Sequence, residues 1–222
     1  MKFINTEVSN FTGAFRGMRN PLESWYKSDS YPITYDGKNA DRYQGQIIGF
    51  HIGENDLKLA QNLIKGGSEE RKFMRMIHVC VDIDMPRYWW SEADTYGFNT
   101  KNSCSTMHRL LNNTKPITKD MFISCNEDID VLEIVVDRLE KLRQEYKATK
   151  DHSMQVKLLV RAKRLLPEGF LQMRTFDSNY EEIRNMYFQR RHHPLNEEWI
   201  DTFCNWVESL PYSKELIMLE VK

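Results

Sequence analysis

The sequence has no charge of one sign to spare. Its 31 Lys and Arg stand against 32 Asp and Glu, for a formal net charge of -1 and a pI of about 6.6. No global field therefore draws the chain to nucleic acid or to an anionic membrane, and any anion site has to be built locally. Cysteine is scarce: Cys80, Cys104, Cys125 and Cys204 lie far apart and form no CxxC pair. They read as reduced thiols of a cytosolic protein, each acting as a small core hydrophobe. No signal peptide and no apolar run of bilayer-spanning length is recognisable. Also absent are a GxxxxGK[ST] phosphate loop, a GxGxxG after a strand, an HExxH and a GxSxG elbow, which removes several large enzyme classes. Nucleotide binding through side chains and helix ends is not removed.

What is present is an ordinary globular composition, 41% hydrophobic and 28% charged over 222 residues. No repeat, low-complexity tract or Pro/Gly-rich linker divides it, so a single domain over 1–222 is expected. Residues 3–8 alternate weakly as a strand, and Pro21 interrupts any helix through "NFTGAFRGMRNPLESWYKSDS". Residues 31–55 read as loop-rich. Asp56 is expected to cap a helix carrying Leu57, Ala60, Leu63 and Ile64 on one face, with Gly66 at its stop. In "MIHVCVDIDMP" Ile77, Val79, Val81 and Ile83 alternate with polar residues as a half-buried strand ended by Pro86. It delivers the chain into "RYWWSEADTYGFNTKNSCS", an aromatic, polar loop or short helix. Between Asn126 and Tyr146, Ile129, Leu132, Val135, Val136, Leu139 and Leu142 repeat at three and four residues as an amphipathic helix with a solvated charged face. A second helix ends before Pro167 and Gly169, with a strand in "FLQMRTF". Ser178 and Glu181 have capping-box spacing before another helix, and Asn196 is expected to cap the last. Strands and helices do not alternate regularly, which predicts an α+β class: mixed helices packed on a central, mostly antiparallel sheet.

Three groups of residues have the chemistry for a site. Asn179, Glu182, Asn185 and Gln189 recur at helical spacing with Arg190 just beyond; amides and a guanidinium on one face suit a flat heterocycle and a phosphate, while a solvated polar face is the plainer reading. Arg161, Lys163 and Arg164 precede a helix-ending proline, where long cations commonly reach back to water. Trp89 and Trp90 offer either stacking surfaces or core packing, the second being commoner.

In this order along the chain, the pieces resemble the flavin-dependent thymidylate synthases, most strongly in "VRAKRLLPEGFLQMRTFDSNYEEIRNMYFQRRHHPLNEEWI". The resemblance implies a fold like the thymidylate synthase complementing protein and a homotetramer in the cytoplasm. It also implies transfer of a one-carbon unit to C5 of a pyrimidine deoxynucleotide, dUMP by default, with FAD, NADPH and methylenetetrahydrofolate as cofactors and no protein nucleophile. Carried over by position, Ser28, Asn179 and Asn185 fall on flavin-binding residues, and Ser105, Lys163 and Arg190 on nucleotide-binding ones; no metal is implied. The family signature R-H-R-x-x-S-x-N-E-x-S-x-R-Y, aligned on Asn102 and Ser105, is altered here. Thr95, Tyr96 and Gly97 replace its cationic triplet, Ser103 replaces its Glu, and Arg109 matches its last arginine only across a two-residue insertion. Glu181 and Glu182 stand where the family helix has an arginine and a serine. Arg19, Arg87, Arg161, His192 and His193 are the candidates for replacement charge. A non-catalytic nucleotide- or protein-binding chain on the same fold is the alternative.

Overall fold

The computed structural model describes residues 1–35 and 45–221. Its architecture is α+β, with helices on a mostly antiparallel sheet. β1 (Lys2–Ser9), β4 (His78–Pro86), β6 (Leu171–Asn179) and β5 (Thr100–Ser103) pair in the order β1-β4-β6-β5. The alternation read in the sequence is realised in β4, where Val79, Val81 and Ile83 are at most 1% exposed. His78, Cys80, Asp82 and Asp84 take the opposite phase and are less buried.

The expectation of loop over residues 31–55 is corrected. β2 (Tyr31–Thr34) and β3 (Ile47–His51) form an antiparallel hairpin with Tyr31 opposite His51; residues 36–44 lie outside the described part. Tyr31, Ile33, Ile47 and Ile48 are all exposed, so backbone pairing defines these strands and a one-sided burial pattern is missing from the sequence.

Contacts group the residues into two compact units. The first comprises Met1–Ile4, Asp82–Thr95 and Lys101–Thr175. It contains α3 (Arg87–Ala93), α4 (Thr106–Arg109), α5 (Ile129–Ala148) and α6 (His152–Leu165). Leu132, Val136, Leu139 and Leu142 of α5 meet Leu158 and Ala162 of α6 in one apolar cluster, the stripe predicted by the three-and-four spacing. The charged face of α5 is not simply solvated. Glu140 accepts hydrogen bonds from the Ile117 N–H at 2.9 Å and from two nitrogens of Arg143, each at 2.7 Å, tying the loop before α5 to the helix. Trp89 and Trp90 are core: both are at most 1% exposed, their rings meet edge to face at 4.9 Å, and Trp90 Nε1 donates to the Gln172 carbonyl.

The second unit comprises Asn5–Val81, Tyr96–Thr100 and Phe176–Lys222. It holds α1 (Phe11–Met18), α2 (Glu54–Lys65), α7 (Tyr180–Arg190), a wide-turn helix Asn196–Cys204 with i to i+5 bonding, and its continuation α8 (Asn205–Glu208). Phe11, Phe15, Phe50, Phe73, Tyr180 and Tyr212 interlock around α1.

Three helix starts differ from the sequence reading. Gly53, not Asp56, caps α2; the carboxylate of Asp29 accepts from the N–H groups of Asn55 and Asp56 at 2.9 and 3.0 Å. That frees Asp56 to turn inward, where it is fully buried and paired with Arg19 at 2.5 Å. Asn179, not Ser178, caps α7, accepting from the Glu182 N–H at 3.1 Å, because the two-residue period of β6 sends Ser178 into the core at 4% exposure. Asn196 is the first residue of its helix and Leu195 the cap position. Trp199, Phe203, Trp206 and Val207 are buried as their spacing predicts.

Candidate functional site

In the first unit, β5 leads through Cys104 into α4. Two hydrogen bonds pin the turn to the neighbouring strand: Cys104 N–H to the Met173 carbonyl and Gln172 Nε2 to the Cys104 carbonyl, both 2.9 Å. Ser105 caps α4, accepting from the His108 N–H at 3.4 Å. From α6, Lys163 sends its ammonium to Thr106 Oγ1 at 2.5 Å across 57 residues of sequence. The solvent reading of Lys163 is thus corrected, whereas Arg161 and Arg164 are exposed as expected. Burial lowers the affinity of Lys163 for its proton, the nearby Arg87 adds to this, and Glu168 opposes it. Arg87 is itself held by Glu168 at 2.9 Å.

This turn forms one wall of a cavity of about 290 Å³, at the lower end of the range for small-molecule sites. Ser105, Thr106, Arg109 and Lys115 give it hydroxyls and positive charge; Ile117, Met121, Phe170 and Met173 give it an apolar side; and Asp84 supplies a carboxylate. Ser105 and Lys163, expected to hold a nucleotide, therefore meet at Thr106. Sequence reading missed Thr106, Lys115 and Asp84. Only Asp84 left a signal, its place on the outward phase of β4.

In the second unit the expected residues are engaged within the protein. The Ser28 hydroxyl donates to Asp56 at 2.6 Å. Burial pushes the Asp56 carboxyl up, but hydrogen bonds from Ser28, Ser30 and Arg19 together with the Arg19 charge outweigh it and hold the group below the usual carboxylate range. Asn179 spends its oxygen on the α7 cap and its amide on the Phe98 carbonyl at 3.4 Å. Asn185 Oδ1 accepts from Gln189 at 2.9 Å, and Arg190 donates from Nε to the Tyr96 hydroxyl at 2.8 Å. Glu181 accepts from Arg71 at 3.1 Å. Of the candidate replacement cations, Arg19 is committed to Asp56 and Arg87 to Glu168. Among the described residues, no group of three or more His, Cys, Asp or Glu is placed to hold a metal, and no helix is long and apolar enough to cross a membrane.

Ser28 does not fit the diphosphate of a flavin. Asn185 is exposed, but the Ser28 proton already goes to a carboxylate, and Asp56 would repel a phosphate brought to that hydroxyl.

A scan against protein-family models finds no match, and neither does a search of the curated proteins. Solved structures do match. One is thymidylate synthase X (ThyX) from Helicobacter pylori with FAD and dUMP, at 15% identity and a TM-score of 0.68, covering 98% of this chain and 96% of that one. A second, the flavin-dependent thymidylate synthase ThyX of the same organism complexed with FAD and dUMP, has 17% identity, a TM-score of 0.68 and full coverage of both chains. The chain has the ThyX fold. The ThyX likeness runs end to end, so both compact units belong to it, including the residues around Ser105 and those around Arg190.

Proposed function

We propose that the protein binds a pyrimidine deoxynucleotide in the cavity of the first unit and transfers a one-carbon unit to its C5, with dUMP as the default substrate. The observation that carries this reading is the convergence of Ser105 and Lys163 on Thr106, beside Arg109 and Lys115, on a fold whose solved neighbours carry dUMP. Hydroxyls and cations in the wall of a half-apolar cavity suit a phosphate monoester attached to a flat base. FAD is the proposed cofactor, with Ser28, Asn179 and Asn185 nearest to it, and the assembly would be a homotetramer, as the resemblance implies. Titration calorimetry with dUMP and dCMP tests the binding: saturable heat that is lost in Lys163→Gln supports it, and no heat with either nucleotide sinks it.

A second reading, nucleotide binding without catalysis, is favoured by the pair Glu181–Arg71, in which an acid stands where the resemblance puts a cation and is already held by an arginine. The visible spectrum separates the two. A yellow protein that retains FAD through gel filtration and restores growth to a thymidine-requiring host supports transfer. A colourless protein that still binds nucleotide supports binding alone.

A further inference from the structure

The cavity of the first unit contains one group that the 4-oxo position of a uracil nucleotide does not satisfy. Asp84 is half-buried and lines it, and among the described residues no donor reaches its carboxylate by hydrogen bond or ion pair. A carboxylate partly withdrawn from water calls for a donor, and a ligand that presents a lone pair there is repelled. Asp84 lies on β4 and the Ser105 turn follows β5, with β6 between them, so two strand spacings, about 10 Å across the sheet, lie between Asp84 and that turn. A nucleoside monophosphate has its phosphate at one end and the 4-substituent of its base at the other. The charges fix its direction: phosphate toward Thr106, Arg109 and Lys115, with Lys163 reaching Thr106 from α6, and base edge toward Asp84, with Phe170 and Met173 beside the ring.

At that edge the pyrimidines differ. Position 4 of uracil is the O4 acceptor, with N3–H the one donor beside it, whereas position 4 of cytosine is the N4 amino donor, which is the group that Asp and Glu read in cytosine. The geometry points to a cytosine nucleotide, dCMP, as the ligand of this cavity, with Asp84 accepting from N4 as its specificity-determining contact. The inference rests on the nucleotide-binding reading and replaces only its default base.

Calorimetry on the full chain with dCMP and dUMP, wild type against Asp84→Asn, is the test. The wild type binds dCMP about tenfold or more tightly than dUMP, the size of one base-edge contact. Asp84→Asn is isosteric and breaks no partner; its amide donates to O4 and accepts from N3–H, so the preference moves toward dUMP. Equal affinities or a dUMP preference in the wild type, or an unchanged ratio in Asp84→Asn, overturns the assignment and leaves nucleotide binding standing. Failure of both nucleotides to bind the wild type removes both.

Discussion

Arg190 donates from Nε to the hydroxyl of Tyr96 at 2.8 Å, while its guanidinium lies 5.4 Å from the centroid of the Tyr96 ring and 4.6 Å from that of Trp199. In the resemblance drawn from the sequence, Tyr96 takes the place of a cation. A tyrosine at that position does not leave a gap; it recruits the downstream arginine into a half-buried aromatic clamp, with Gln189 accepting the Tyr96 hydroxyl proton at 3.0 Å.

Arg190→Ala should therefore cost more folding stability than an exposed helix-end arginine would. Two cation–π contacts and a hydrogen bond set the loss at about 2 kcal/mol, read as a lower urea midpoint. Tyr96→Phe keeps the ring and should cost about 1 kcal/mol. A double-mutant cycle with no coupling between the two changes would show that the clamp does not hold Arg190.

The buried pair of Arg19 and Asp56 supports a different expectation. With exposures of 4% and 0%, neither group has water to replace a lost partner. Asp56→Ala strands the guanidinium and should destabilise by about 3 to 5 kcal/mol in chemical denaturation. Ser28→Ala removes one neutral donor to the same carboxylate and should cost about 1.5 kcal/mol. Equal effects of the two changes would contradict a buried ion pair.

Acid should expose the contribution of Glu140. Its hydrogen bonds from Arg143 outweigh desolvation, and with the Ile117 N–H, Gln144 and the Arg143 charge they hold its carboxyl at about 2, below the ordinary 4.5. The folded form binds the proton less tightly than the unfolded form, so this stability is complete above pH 4.5 and is lost as pH falls toward 2. Glu140→Gln should flatten that part of the pH–stability curve, with a difference of about 2 kcal/mol at neutral pH after allowance for solvent screening. Parallel curves for the two proteins would contradict the shift.

Lys163 offers a test that separates binding from folding. Lys163→Met removes a half-buried ammonium whose hydrogen-bond partner, Thr106, can turn to the cavity. The melting temperature should hold or rise, because desolvation already disfavours the charge. Affinity for a pyrimidine nucleotide should fall about tenfold or more with the lost charge-assisted contact. Unchanged affinity would place the phosphate elsewhere.

Much of the scaffold was legible from local spacing. The alternation around Val79 and Val81, the stripe from Leu132 to Leu142 and the buried face of Trp199 and Phe203 each repeat within one or two turns or pleats, so neighbouring residues carry the signal. The exposed β2–β3 hairpin carried none, since its strands are defined by pairing and not by burial. Helix caps were off by one to three residues where a distant carboxylate, Asp29, or the phase of a preceding strand, at Ser178, took over the role.

The sequence by itself determined the α+β class, the core faces and the absence of a net field, because burial period and composition are local or global sums. Only the tertiary structure decided how the polar groups are spent. Asp56 left a cap for Arg19, Arg190 closed on Tyr96, and Lys163 reached Thr106, while Asp84 was left facing a cavity. A buried or half-buried charge is worth what its partner makes it worth, and those partners lie tens of residues away, where no periodicity connects them.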